Sequence, residues 1–294
     1  MIGRGRSHLP TRVLGTVQVL VLLLLSMLPC GSSFIGRAFS RSFNSKNKLN
    51  SVKLSRAIMK HAPQHNSMDS TIFMSAQKLV SPAAERNSGP ILEVFRAHIL
   101  PVLQEERATA EAAKILEIAS GSGQHAVNLA GTMQSLVMWQ PTDIDESSIS
   151  SICAWTHESG LQNILDPIQL DVSLEIDEII ASLPEGWNNI DGIVNVNMIH
   201  ISPWSCCEGL WKTAGSLVKA GGFVYMYGPF CVNGAMVESN ENFDASLRAR
   251  NPEWGIRNLE DVSALAAEEG FILEHTVEMP ANNLSLIFRK QQVV

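Results

Sequence analysis

No aspartate or glutamate precedes Asp69, although ten Lys and Arg do. All 29 acidic residues therefore fall in 69–294 against 12 basic ones, a net charge of −17 in that body and −7 for the whole chain. A body so short of Lys and Arg argues against general nucleic-acid binding, which rests on neutralising phosphates. It suits an enzyme of small molecules, or a protein-binding partner. Cysteine is scarce too. Cys30, Cys153, Cys206, Cys207 and Cys231 form no C-x-x-C pair, and no histidine stands at metal-ligand spacing. Free thiols in a reducing compartment are expected, and no metal. A disulfide between the neighbours Cys206 and Cys207 would be strained.

Long hydrophobic runs are missing as well. The apolar stretch Val13–Leu28 is short for a spanning helix, which needs about 20 residues. Three arginines precede it, and Gly31 and Ser33 supply small residues before Phe34. That is a signal-peptide layout. Phe34 to Met68 is rich in Ser, Asn, Arg and Lys and free of acid, the composition of a transit peptide. The pair resembles the bipartite leaders of algae with complex plastids. The expected organisation is a signal-peptide-like leader at 1–33, a transit-peptide-like, disordered stretch at 34–75, and a folded domain at 76–294. The destination implied is the plastid. Secretion, a membrane anchor or the mitochondrion are the alternatives.

The folded part is organised around Ile115-Leu116-Glu117-Ile118-Ala119-Ser120-Gly121-Ser122-Gly123-Gln124-His125. A strand-like run enters two glycines, and a helical pattern follows at once. Glycines allow a sharp turn and close approach to a ligand, and the helix start offers unpaired N–H groups. Gly121 to Ala126 also fits the dinucleotide pattern G-x-G-x-x-A, so the loop alone leaves two cofactor classes open.

Strands are expected at about 114–118, 136–140, 167–170, 191–196 and 223–227, alternating with helices at 124–133, 146–158, 176–183 and 205–218. This alternation predicts a doubly wound, Rossmann-like parallel sheet with ligands beyond the carboxyl ends of the strands. Ahead of it, Ser81-Pro82 opens a helical region that Gly89-Pro90 should interrupt and Pro101 should kink or divide. Gly228 to Arg257 is a long insert with a short helix at 243–250. After a helix at 259–269, two strands at 271–277 and 284–288 with a short link require an antiparallel hairpin. The fold class is thus α/β: a seven-stranded sheet, mostly parallel, with a C-terminal antiparallel hairpin.

Seven blocks carry a family resemblance: Ala84-Glu85-Arg86-Asn87 with Pro90-Ile91-Leu92; Leu116 to His125; Trp139-Gln140-Pro141-Thr142-Asp143-Ile144-Asp145; Asn197-Met198-Ile199-His200-Ile201-Ser202-Pro203; Tyr227-Gly228-Pro229-Phe230; Arg250-Asn251-Pro252-Glu253-Trp254-Gly255; and Met279-Pro280-Ala281-Asn282-Asn283. The chain resembles a class I S-adenosylmethionine-dependent methyltransferase, and its motifs are similar to the methyltransferase-like protein 26 family. The resemblance implies S-adenosylmethionine as cofactor. It implies that Glu117, Gly121, Ser122 and Gly123 form the first cofactor motif. Asp143 would meet the ribose hydroxyls, Asp171 and Val172 would lie beside the adenine, and Asn197 would stand near the methionine part.

Each residue keeps a plainer alternative. Asp143 could cap a helix. Asp171, Asn197, Asn282 and Asn283 could form turns. His125 could be a packed structural histidine. His200 and Tyr227 are candidates for catalysis, with packing as the alternative. Arg86, Asn87, Trp254 and Arg257 are candidates for substrate binding, with capping, surface or loop-anchoring roles as the alternative. The leading function is methyl transfer to a small molecule. A non-catalytic cofactor-binding or scaffold protein of the same fold is the second reading, because no strong base stands out. A nicotinamide-dependent oxidoreductase is the third, disfavoured by the missing Tyr-x-x-x-Lys pair and by the hairpin. The expected partner is a small-molecule substrate, with no nucleic acid and no stable membrane association once the leader is removed.

Overall fold

The computed structural model describes residues 78–106 and 111–292. The leader expectations for 1–75 lie outside these residues. So does most of the polar link that precedes the first strand.

Strand β1 (Ala113–Ile118) is followed by helix α3 (Gln124–Met133), β2 (Val137–Asp143), α4 (Glu146–Ser159), β3 (Ile168–Gln169), α5 (Ile176–Ser182), β4 (Ile190–Val196), α6 (Trp204–Leu217) and β5 (Val218–Gly228). The helices α1 (Pro82–Val94) and α2 (Leu100–Glu106) come before β1. The insert holds β6 (Phe230–Cys231), α7 (Glu238–Arg250) and β7 (Arg257–Asn258), and the chain continues with α8 (Leu259–Glu268), β8 (Phe271–Met279) and β9 (Asn283–Lys290). Seven strands form one sheet in the order β3-β2-β1-β4-β5-β9-β8. The first five are parallel, and β9 is antiparallel to both β5 and β8. β6 and β7 form a separate parallel pair. The expected α/β sheet and its terminal hairpin are both present.

Successive side chains of a strand point to opposite faces, so each inner strand feeds two cores. Leu116 and Ile118 join Ile193, Leu210, Trp211, Val262 and Phe288 on one face. Ala113 and Ile115 join Ile91, Phe95, Leu129, Trp139, Tyr225 and Ile287 on the other. Within the second core, the Tyr225 hydroxyl shares a 2.7 Å hydrogen bond with Ser285 Oγ, which satisfies both buried groups.

Three local expectations are corrected. Helix α1 runs through Gly89-Pro90 without interruption. Proline forfeits one helical hydrogen bond, at about 3 kcal/mol. Burial of Ile91, Val94, Phe95, Ile99 and Leu103 against α3 and the sheet outweighs it. Pro101 does divide the helical region, but through a π-helical turn at Phe95–Ile99 just before it. A π turn shifts the bonding register so that the missing N–H is absorbed. β5 starts at Val218, five residues before the expected 223, and passes through Gly221-Gly222. A register irregularity between Ile190 and Gly192 accommodates the extra length. The helix of the insert also begins earlier than expected, at Glu238. Cys153, Cys206, Cys207 and Cys231 are free thiols.

Candidate functional site

The carboxyl ends of β1, β2, β4 and β5 meet at one rim. At its centre the chain turns from β1 into α3. Gly123 caps α3 in the left-handed region at φ 90°. A Cβ there would lie 2.9 Å from the Ile152 Cα in α4, so the loop can pass α4 only as glycine. The Asp143 carboxylate at the end of β2 accepts from the Gly121 N–H at 2.8 Å and from the Asp145 N–H at 3.0 Å. A carboxylate has room for about four hydrogen bonds, so it holds the loop and keeps lone pairs for a ligand. The cap that had been an alternative for Asp143 belongs to Asp145, whose side chain accepts from the Ser148 N–H at the start of α4.

The loop is also tied to the N-terminal helices. Gln124 Oε1 accepts from the Ser81 N–H at 2.6 Å and from Ser122 Oγ at 2.9 Å. Ser81 in turn caps α1, so the cap of α1 and the start of α3 share one side chain. Ala119 stands at φ 59° within the turn. A non-glycine residue there carries strain of about 1–2 kcal/mol.

Glu117 does not face this rim. It shares a strand face with Ala113 and Ile115, and its Oε2 accepts from the Trp139 indole N–H at 2.9 Å inside the second core. Burial pushes its carboxyl up to about 7, against the hydrogen bonds from Trp139 and Ser120 and with the Asp143 charge adding to the rise. It supports the turn from below: its main-chain carbonyl accepts from Thr142 Oγ1 at 2.9 Å. The structure places its side chain beneath the loop and not on the rim.

Asp171 is half-buried and closes its own turn. Its Oδ1 accepts from the Ser173 N–H at 2.9 Å and from Ser173 Oγ at 2.6 Å. Val172 is packed into the first core, and its carbonyl lies where a Cβ on Gly209 would be. Beside Asp143, the side chain of Ile144 is 58% exposed.

Next to the end of β4 the rim opens into a cavity of about 590 Å³. Arg86 and Asn87 of α1, Asn197 and His200 after β4, Tyr227 of β5, Asn240 and Phe243 of α7 and Asn282 of the hairpin tip all line it. Asn197 leaves β4 at φ 64°, a conformation asparagine tolerates, and its N–H bonds the Tyr227 carbonyl at 2.8 Å. The insert is fastened to the hairpin by two bonds, Asn240 Nδ2 to the Asn282 carbonyl at 3.0 Å and Asn282 Nδ2 to Ser239 Oγ at 2.9 Å.

His200 is 1% exposed, and neither ring nitrogen has a hydrogen-bond partner. Burial and then the Arg257 charge lower its ring to about 3, against an interaction with the Gly255 main chain that raises it, so it is neutral at physiological pH. Its edge packs on Phe230 at 5.1 Å between ring centroids. Its Nε2 occupies the space a Cβ on Gly228 would need. The Tyr227 phenol is pushed up by burial, while the Asn87 amide and the Arg86 guanidinium oppose the shift.

Of the residues singled out from sequence, Arg86, Asn87, Asn197, His200 and Tyr227 thus come together. Gly121, Ser122, Gly123 and Asp143 form the neighbouring part of the rim. Trp254 and Arg257 stay outside the cavity. The Arg257 guanidinium bonds the carbonyls of Ile199 at 2.8 Å, Ser202 at 2.7 Å and Glu253 at 2.8 Å. It anchors the insert against the turn that carries His200. Trp254 is half-buried in the same loop with Arg250 over its ring. His125 is buried in α3, lowered to about 4 by burial, with its Nδ1 3.4 Å from Ser88 Oγ. Asn240 and Phe243 carried no sequence signal; they reach the cavity only because α7 folds back over the hairpin.

Residues 78–290 match the family model described as "Protein of unknown function (DUF938)". The chain belongs to that family. Solved structures similar to this DUF938 protein include an O-methyltransferase family protein from Burkholderia thailandensis, at 13% identity and a TM-score of 0.53, over 72% of this chain and 60% of that one. A candidate sarcosine dimethylglycine methyltransferase from Galdieria sulphuraria matches at 15% identity and a TM-score of 0.52, over 75% of this chain and 96% of that one. The S-adenosylmethionine-dependent methyltransferase SibL in its apo form matches at 17% identity and a TM-score of 0.50, over 72% of this chain and 60% of that one. The DUF938 chain therefore spans about 60% of the length of the first and third of these. At such identities the likeness concerns the fold, which is the Rossmann-like fold of class I methyltransferases.

The rim fits a nucleoside with an amino-acid tail. Gly121 has nothing within 4 Å of where its Cβ would stand, so a ligand can approach the backbone. Asp143 is held with lone pairs to spare, Ile144 offers an apolar face, and no phosphate cradle is required of the loop.

Proposed function

We propose that this protein is an S-adenosylmethionine-dependent methyltransferase of small molecules and that its nearest functional kin is the methyltransferase-like protein 26 family. The observation that carries the reading is the junction of two sites on one rim. The glycine turn pinned to Asp143 by the 2.8 Å bond from the Gly121 N–H lies beside a cavity that begins at Asn197. Asp143 would hold the ribose hydroxyls, Asp171 and Val172 would lie beside the adenine, and Asn197 would stand by the methionine part. The bound cofactor would supply a methyl group on a sulfonium centre. The chain would bind and orient the acceptor, since in a direct displacement alignment contributes most.

The motif blocks of the sequence, the strand order and the cavity size support this reading; the cavity lies in the usual range of small-molecule sites. The leader would direct the chain to the plastid.

Calorimetry on the full-length chain with S-adenosylmethionine, S-adenosylhomocysteine and NAD tests the cofactor. Binding of the first two and not of NAD is expected. Asp143→Ala should abolish it. Failure of both sulfur nucleosides to bind would end the reading, and unchanged affinity in Asp143→Ala would remove the ribose assignment.

A further inference from the structure

The glycine turn is held largely from outside. Gly121 and Gly123 stand at φ 57° and 90° with Ser122 between them. One main-chain bond lies within the turn, from the Gly123 N–H to the Ser120 carbonyl at 3.1 Å. Asp143 fixes the Gly121 N–H. The carbonyl and hydroxyl of Ser122 are left for other groups to hold, and a serine between two glycines has many conformations open to it.

Both groups of Ser122 are tied, by separate relays, to residues 78–81 ahead of α1. The Ser122 carbonyl accepts from Ser151 Oγ at 2.8 Å, and Ser151 Oγ accepts from the Leu79 N–H at 2.8 Å. Ser122 Oγ donates to Gln124 Oε1 at 2.9 Å, and the same oxygen accepts from the Ser81 N–H at 2.6 Å. Ser151 is fully buried, and its one hydroxyl serves as donor inward and acceptor outward. The outer end is clamped as well. Trp155 Nε1 donates to the Leu79 carbonyl at 2.8 Å. Lys78 Nζ lies 3.5 Å from the centre of the Trp155 ring and 2.7 Å from Glu158 Oε1. Ser151, Trp155 and Glu158 follow one another at four and three residues, so α4 presents all three on one face. The side chains of Leu79 and Val80 are exposed, so the segment is seated through its main chain and Lys78.

We infer that residues 78–81 are a strap that positions the cofactor turn, with Ser151 and Gln124 as its positioning residues, and that cofactor affinity depends on the strap being seated. The inference rests on the methyltransferase reading above. A turn already fixed in its binding conformation does not lose that freedom when the ligand arrives, so each tie to Ser122 favours binding. A segment that only led the chain into α1 would need no row of polar atoms reaching the middle of the glycine turn. The coupling runs both ways: a seated strap favours the cofactor, and a bound cofactor must hold the strap down by the same factor. Processing that removed the chain beyond residue 78 would release the turn.

The test titrates the full-length protein with S-adenosylhomocysteine by calorimetry, as parent, Leu79→Pro and Ser151→Ala. Leu79→Pro deletes one main-chain donor at a residue whose side chain is exposed, and it leaves the core intact. It therefore decides the matter even if loss of the buried Ser151 hydroxyl unfolds the second variant. Each folded variant should bind about 5-fold more weakly or worse. Hydrogen exchange on the parent gives the reciprocal reading. Bound S-adenosylhomocysteine should slow exchange at the Leu79 and Ser81 amides, while β8, at the other edge of the sheet, keeps its rates. A strap that is only structural would not respond to the nucleoside. Parent-like affinity in Leu79→Pro, or equal exchange at Leu79 and Ser81 with and without the nucleoside, would overturn the inference. Failure of S-adenosylhomocysteine to bind the parent would be a failure of the methyltransferase reading, and it is seen before any variant is titrated.

Discussion

Glu117 illustrates how a residue's place in a strand decides its role. It sits one residue before the end of β1, on the face of Ile115, so it must point into a core and not across the rim. The alternation of the strand already implied this; the acid-before-glycine pattern argued the other way. Its titration has a definite sign. The unfolded carboxyl titrates at 4.5 and the folded one at about 7. The folded chain therefore binds the proton more tightly. The stability this contributes is full below pH 4.5 and is lost as pH rises through 7. The whole effect is about 3 kcal/mol. Glu117→Gln keeps an acceptor for the Trp139 indole and removes the titration. Urea unfolding should find it more stable than the parent at pH 8, by up to about 3 kcal/mol, and little changed at pH 4.5. His125 and His200 titrate in the opposite sense, losing stability as pH falls below 6.5, but they cancel in the comparison of variant with parent.

Two glycines of the rim make a pair of tests at the same scale. Gly123→Ala would place a Cβ against the main chain of α4 while holding φ 90°. A loss of about 2 kcal/mol or more is expected from strain and contact together, read by thermal denaturation, along with loss of cofactor binding. Gly228→Ala would instead push the His200 ring away from its seat, because Nε2 fills that space. Cofactor affinity should survive and turnover should fall. Loss of both together would mean that the ring serves the general fold and not the cavity.

Among the elements, those of the alternating α/β body were the legible ones. α3 begins and ends where the helical period and the glycines predicted, and α4 stops at Gly160 in a left-handed cap. Periodicity and turn residues are local, and for these elements tertiary packing agrees with them. The departures are at elements whose fate is decided far away in sequence. α1 ignores Pro90 because its buried face is held by α3 and the sheet. The insert at 228–257 reads as a polar loop with a short helix at 243–250, yet α7 begins at Glu238 and is locked to the hairpin tip by Asn240 and Asn282. Arg257 belongs at this scale as well. Its bonds to Ile199, Ser202 and Glu253 join the insert to the turn of His200. Arg257→Ala should leave three carbonyls without a donor and free the loop. Hydrogen exchange should rise in 198–203 and in 251–257 together, with stability reduced by about 2–3 kcal/mol. Faster exchange in only one of the two segments would mean that the arginine does not couple them.

At the scale of the molecule, a mostly parallel sheet of seven strands follows from alternating strands and helices closed by a hairpin, and that much could be read from the chain; the strand order could not. The cavity could not. Its walls come from α1, the turn after β4, the end of β5, α7 and the hairpin tip, five pieces spread from Arg86 to Asn282. No local pattern announces that these converge. The proposed bipartite leader is a separate question for the whole chain. A fluorescent protein fused behind residues 1–75 should reach a plastid, and export to the medium would dismiss that destination.

The glycine turn and the cavity beside it should together pass a methyl group to a small molecule. The most direct measurement incubates the full-length protein and Asp143→Ala with S-adenosylmethionine labelled in its methyl group and with a small-molecule extract, then follows the label. Label is expected in a low-molecular-weight product with the parent protein and not with the variant, which loses the carboxylate that pins the glycine turn. Cofactor that binds tightly to the parent while its label never leaves it would mean a cofactor-binding scaffold and not an enzyme.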